Sequence, residues 1–120
     1  MPIKKYFADA DNVITNTYSG TSSDLRNTGS NAGAADIIEV YSLYDRRGLE
    51  GQELTRALIK FPISEIAADR TSGTIPASGS VTFKLKLYNA KHFYSTPFGY
   101  DIQAAAISET WEEGFGTDLE

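Results

Sequence analysis

Two stretches of this chain alternate between apolar and polar side chains with a period of two, and that pattern restricts the fold more than any other feature. In residues 54–61, Ala57, Ile59 and Phe61 alternate with Arg56, Leu58 and Lys60. In residues 80–88 the alternation is stricter, with Val81, Phe83, Leu85 and Leu87 set against Thr82, Lys84, Lys86 and Tyr88. Successive side chains of a strand point to opposite faces, so each stretch reads as a strand with one face to bury and one basic face for solvent. Two half-buried strands need a second layer, and the chain offers no long amphipathic helix to provide it. The expected architecture is therefore all-β, an antiparallel two-sheet β-sandwich of jelly-roll-like form.

At 120 residues the chain reads as a single domain, large enough to bury roughly two thirds of its unfolded surface. It has no cysteine, which excludes disulfides and thiol chemistry and fits a reducing compartment. Lys4 and Lys5 are followed by Asp9 and Asp11 rather than by an apolar run, so no secretory signal peptide is expected, and no stretch is apolar enough to span a membrane. Net charge is −5, but residues 1–108 carry equal numbers of acidic and basic groups. The excess lies in Glu109, Glu112, Glu113, Asp118 and Glu120. A neutral body with an acidic tail argues against nucleic acid and against an anionic membrane as partners.

Along the chain, residues 3–8 read as a short strand, Asp9 to Asn12 as a turn, and 13–17 as extended chain. Residues 18–36 are rich in Ser, Thr, Asn, Gly and Ala and read as a long surface loop. Residues 36–44 form a strand with apolar side chains on both faces, and 45–53 a polar connection. Pro62 ends the following strand, because proline cannot donate to a ladder. Residues 62–67 suggest one helical turn with Ile63 and Ile66 inward, and 68–79 a loop. After the strand at 80–90 and a loop at 91–99, residues 100–110 form the last strand, with Tyr100, Ile102, Ala104 and Ala106 on one face. No internal repeat or linker divides the chain.

Three segments, in order, resemble the DNRLRE-type domain, a β-sandwich similar to carbohydrate-binding modules. The first is Asn31-Ala32-Gly33-Ala34-Ala35-Asp36-Ile37-Ile38-Glu39-Val40, similar to that family's Asn/Gly-rich loop leading into a strand. The second is Arg56-Ala57-Leu58-Ile59-Lys60-Phe61-Pro62-Ile63-Ser64-Glu65-Ile66, running on to Thr82-Phe83-Lys84-Leu85-Lys86-Leu87-Tyr88. The third is Ile107-Ser108-Glu109-Thr110-Trp111-Glu112-Glu113-Gly114, similar to a closing Trp-x-Glu-Gly element. Pro62 departs from the family, which usually has an acidic residue there. The family also continues into one more strand, whereas this sequence stops at Glu120. That closing strand is absent, supplied by another subunit, or located in a further strand or domain beyond residue 120. The resemblance implies one of two settings, secreted polysaccharide hydrolases or virion proteins of tailed bacteriophages. The cysteine-free, leaderless sequence favours the second, a virion part assembled in host cytoplasm.

No catalytic constellation emerges. His92 is the only histidine and has no serine or carboxylate at a recognised spacing. The segment Gly29-Ser30-Asn31-Ala32-Gly33 lacks the lysine and following helix of a phosphate cradle. Glu109, Glu112 and Glu113 read as solvated acids rather than as a glycosidase pair. Asp9, Asp11 and Asn12, joined by Glu112 or Glu113, are candidate oxygen ligands for calcium, against the simpler reading of a solvated turn. Phe93, Tyr94, Phe98, Tyr100 and Trp111 are the candidate contacts for a glycan or a protein partner, weighed against plugging the end of the sandwich. The leading expectation is a non-enzymatic virion component, capsid-, neck- or tail-associated, that contacts other virion subunits or copies of itself. The loops at 18–36 and 46–53 and the segment 111–120 would make those contacts. The alternative is a carbohydrate-binding module or adhesin for a cell-surface glycan.

Overall fold

The computed structural model describes residues 3–16, 31–44, 52–77, 79–91 and 98–117. Within them, β1 (Ala10–Thr15), β2 (Ser42–Tyr44) and β3 (Gln52–Lys60) form an antiparallel sheet in the order β1-β3-β2, and α1 (Ile63–Thr71) follows. The strand expected at 54–61 is thus the centre of the sheet, paired on both edges. It ends at Lys60, two residues before Pro62, which occupies the helix N-cap position with φ −71°.

Register explains what each face carries. Asp11, Val13 and Thr15 lie opposite Ile59, Ala57 and Thr55 and share one face; Asn12 and Ile14 lie opposite Leu58 and Arg56 on the other. Among the described residues the buried apolar set is Val13, Ala32 and Ile75, and the buried polar residues are Asn12 and Thr55. The sheet is therefore pinned at its β1–β3 seam, with loop residues contributing as much as strand residues.

Side chains finish both ladders. Asn16 accepts from the Leu54 amide at 2.6 Å, and its own amide donates to the Leu54 carbonyl at 3.2 Å, which closes β1. On the other edge, the Tyr41 amide donates to the Thr55 hydroxyl at 2.7 Å while the Thr55 amide donates to the Tyr41 carbonyl at 3.0 Å. The strand expected over 36–44 is shortened to Ser42–Tyr44, because the hydroxyl of Thr55 takes the place of the next backbone acceptor. Ile37 and Val40 are left exposed.

Three further expectations need correction. Asp9 to Asn12 do not form a turn before a new strand: β1 begins at Ala10, so Asp11 and Asn12 stand in the ladder, while residues 3–8 are unpaired with β3. Asn12 tolerates that place because its side-chain oxygen and nitrogen both have hydrogen-bond partners. The helical turn at 62–67 is a nine-residue helix, continued by Ala67, Ala68, Asp69 and Arg70, all compatible with helix. Ile63 does not point inward but is exposed, and only Ile66 is half-buried. The helix stops at Ser72, whose amide donates to the Ala68 carbonyl at 2.9 Å, followed by Gly73 at φ +79°.

Among the described residues no strand packs against α1. Its anchor is the N-terminal segment: the Tyr6 hydroxyl donates to Asp69 Oδ2 at 2.7 Å, and Lys4 Nζ lies 3.0 Å from the same oxygen and 3.7 Å from Glu65. The Tyr6 and Lys4 hydrogen bonds hold the Asp69 carboxyl below its ordinary pKa. Burial and the bond to Asp69 push the Tyr6 phenol up, and the same carboxylate raises Lys4. A lowered carboxyl stabilises the fold above its ordinary titration range and loses that contribution only as pH falls through the lowered value. The raised phenol and ammonium act below their ordinary values and lose their contribution as pH rises through the raised ones. A difference absorbance titration between the native chain and Tyr6→Phe should give a Tyr6 midpoint above that of an ordinary tyrosine, returning toward it in Asp69→Asn. An ordinary midpoint in the native chain would mean the anchor does not form in solution.

Candidate assembly surface

Two features outside the sheet bear on function. The first is a polar junction joining β1, residues 31–34 and residues 111–116. Asn12, only 7% exposed, is its centre. Its Oδ1 accepts from the Val13 amide at 2.7 Å and the Ala32 amide at 3.2 Å, and its Nδ2 donates to the Glu113 carbonyl at 2.6 Å. Asn31 Oδ1 accepts from the Gly33 amide at 3.3 Å and the Gly116 amide at 2.8 Å, and the Ala34 amide donates to the Gly116 carbonyl at 2.8 Å. The Asp11 amide donates to Glu113 Oε1 at 3.0 Å. Strand, loop and tail are thus tied by backbone groups satisfied largely by two asparagines.

This junction answers the calcium expectation in part. Glu113 does come to this segment, its carboxylate to the Asp11 amide and its main-chain carbonyl to Asn12, but it spends one carboxylate oxygen on that amide, and Asn12 spends its side-chain acceptor on two. Among the described residues no three Asp, Glu or His side chains are grouped to hold a metal.

The second feature is unpartnered apolar surface. The stretches expected as strands at 80–90 and 100–110 are in no ladder among the described residues, and their backbone amides from 81 to 91 and 98 to 112 have no partner there. Phe83, Leu85 and Leu87 are 59, 49 and 54% exposed, although the alternation marks theirs as the buried face. Tyr100, Ile102 and Ile107 are exposed as well. The polar faces are equally open. Lys86 Nζ sits 4.7 Å from the Tyr88 ring centroid, a contact between neighbours on that face.

Of the candidate contact residues, Phe98 and Tyr100 are exposed and Trp111 is half-buried beside the junction. Phe93 and Tyr94 lie outside the described residues, as do His92 and most of the loops at 18–36 and 46–53. A surface depression on the sheet, lined by Ile14, Thr15, Asn16, Leu54 and Arg56, is shallow and has no grouped catalytic side chains. The Asn12–Asn31 junction was missed by sequence reasoning. Its signal was the asparagine just before the apolar pair Val13 and Ile14, which reads as a turn until the partner loop is known.

Comparison with protein-family models, with curated proteins and with solved structures finds no match to this chain.

Proposed function

We propose that the chain is a non-enzymatic structural component of a phage virion, capsid-, neck- or tail-associated, and that it acts through subunit contacts. The observation that carries the assembly role is the exposed, strand-patterned apolar surface on residues 81–87 and 100–107. Exposed apolar area with unpaired backbone beside it is what strand-adding assemblies cover when they form. In this reading the second layer of the β-sandwich is completed on assembly, and the sheet β1-β3-β2 is the layer the chain makes alone. The virion setting comes from the motif resemblance of residues 31–40, 56–66, 82–88 and 107–114. Intact-mass and peptide mass spectrometry of purified particles from the source should find the chain, at a stoichiometry repeated from particle to particle. A chain found only outside particles overturns the virion setting.

The exposed rings of Phe98 and Tyr100 favour one second reading, stacking on a sugar face as in a carbohydrate-binding module. Affinity electrophoresis in gels containing bacterial surface polysaccharides separates the two. Retardation by a glycan that is lost in Phe98→Ala and Tyr100→Ala would establish the glycan reading. Mobility unchanged in every gel removes it.

A further inference from the structure

Residues 79–91 carry Lys84, Lys86 and Lys91 and no acid, whereas residues 98–113 carry Asp101, Glu109, Glu112 and Glu113 and no base. The two stretches left without partners therefore have opposite charge, and each has an apolar face at the same two-residue period. An antiparallel pairing that lays Phe83, Leu85 and Leu87 over Ala106, Ala104 and Ile102 sets bulky side chains against mostly small ones. The same pairing puts Lys86 opposite Gln103 and diagonal to Asp101, while Lys84 lies opposite Ala105 and Glu109 opposite Ser80. Opposite charges across paired strands stabilise and like charges repel.

We propose that this surface is occupied by a second copy of the chain. Residues 80–91 of each copy pair with residues 100–110 of the other, which forms a two-fold dimer with two equivalent basic–acidic strand pairs. Charge complementarity and the bare backbone of both stretches select that occupant: among the described residues of one chain they are unpaired, and a second copy brings the missing partner of each. Two-fold symmetry then satisfies both at once, since what one copy offers the other receives. This inference rests on the assembly role proposed above and names its partner.

The test uses the full chain in sedimentation equilibrium, with three charge-reversed forms. The native chain should be dimeric. The variant K86E sets acid diagonal to acid in both strand pairs, and D101K sets base diagonal to base, so each alone should associate about tenfold more weakly. Mixed in equal amounts they should recover a heterodimer, because each supplies the charge the other lacks. The chain carrying both changes should dimerise with itself. A native chain that is monomeric at high concentration overturns the proposal, because the stretches then pair within one molecule. A native dimer in which mixing restores nothing overturns it too, because the interface then lies elsewhere. The particle experiment is independent: a monomer found in particles removes only this inference, and a dimer absent from particles removes only the virion setting.

Discussion

Gly33→Ala should lower stability by about 3 kcal/mol, near the top of the range for forcing atoms into a filled site. A Cβ at position 33 would overlap the carbonyl group of Glu113, which is backbone and cannot rotate aside. The tail must move, and with it go the bonds from Asn12 Nδ2 to Glu113 and from Ala34 to Gly116. Trp111, the single tryptophan, is half-buried two residues from Glu113 and reports the change. Its emission should shift to the red in Gly33→Ala under native conditions, and the urea midpoint should fall. Gly73→Ala is the matched control. Gly73 has φ +79° with open space around it, so alanine there costs only about 1–2 kcal/mol of backbone strain and leaves Trp111 emission unchanged. Equal emission in the two variants would mean that the tail does not dock on residues 31–34.

Asn12→Ala should be comparably damaging. It strips the Ala32 amide and the Glu113 carbonyl of partners at a buried position, and each group left unpaired costs roughly 1–3 kcal/mol. For a domain whose net stability is commonly about 5–15 kcal/mol, that is a large fraction. Asn12→Asp is the sharper variant. The new carboxylate still accepts from Val13 and Ala32 but meets the Glu113 carbonyl with no proton to donate. Its protonated form can donate, so the folded state should raise its pKa. The variant should regain stability, relative to the native chain, as pH falls through that raised value. Urea unfolding of both chains at neutral and mildly acidic pH measures the difference. A gap that stays constant or widens toward acid would show that Asn12 does not donate to the tail.

What could be read from the chain beforehand follows from how local each cause is. The centre of the sheet was legible because Ala57, Ile59 and Phe61 alternate over one uninterrupted run and Pro62 stops it. The helix reads only as a turn, since Ile63 and Ile66 call for a core; its hold on the molecule is instead polar, through Asp69 to Tyr6 and Lys4. The strand at 36–44 was overextended because β-branched residues mark strand preference, while the end of pairing is decided by a hydroxyl on another strand, Thr55. Asp11 and Asn12 looked like turn residues because the groups that satisfy them, Ala32 and Glu113, are remote in sequence. Among the candidate contacts, Phe98 and Tyr100 are exposed, and no pattern within residues 98–100 could reveal what meets them.

The alternation at 80–88 and 100–106 is the feature on which the proposed function turns. It specifies faces that ought to be buried, and in the single chain they are not. Backbone amide hydrogen exchange, followed residue by residue across a dilution series, tests directly whether assembly completes this fold. Amides of β3 should be protected at every concentration, while those of 81–91 and 100–110 should exchange freely in dilute solution and become protected as the chain associates. Protection of 81–91 and 100–110 equal to that of β3 at the lowest concentration would contradict this, since a lone chain would then already be complete.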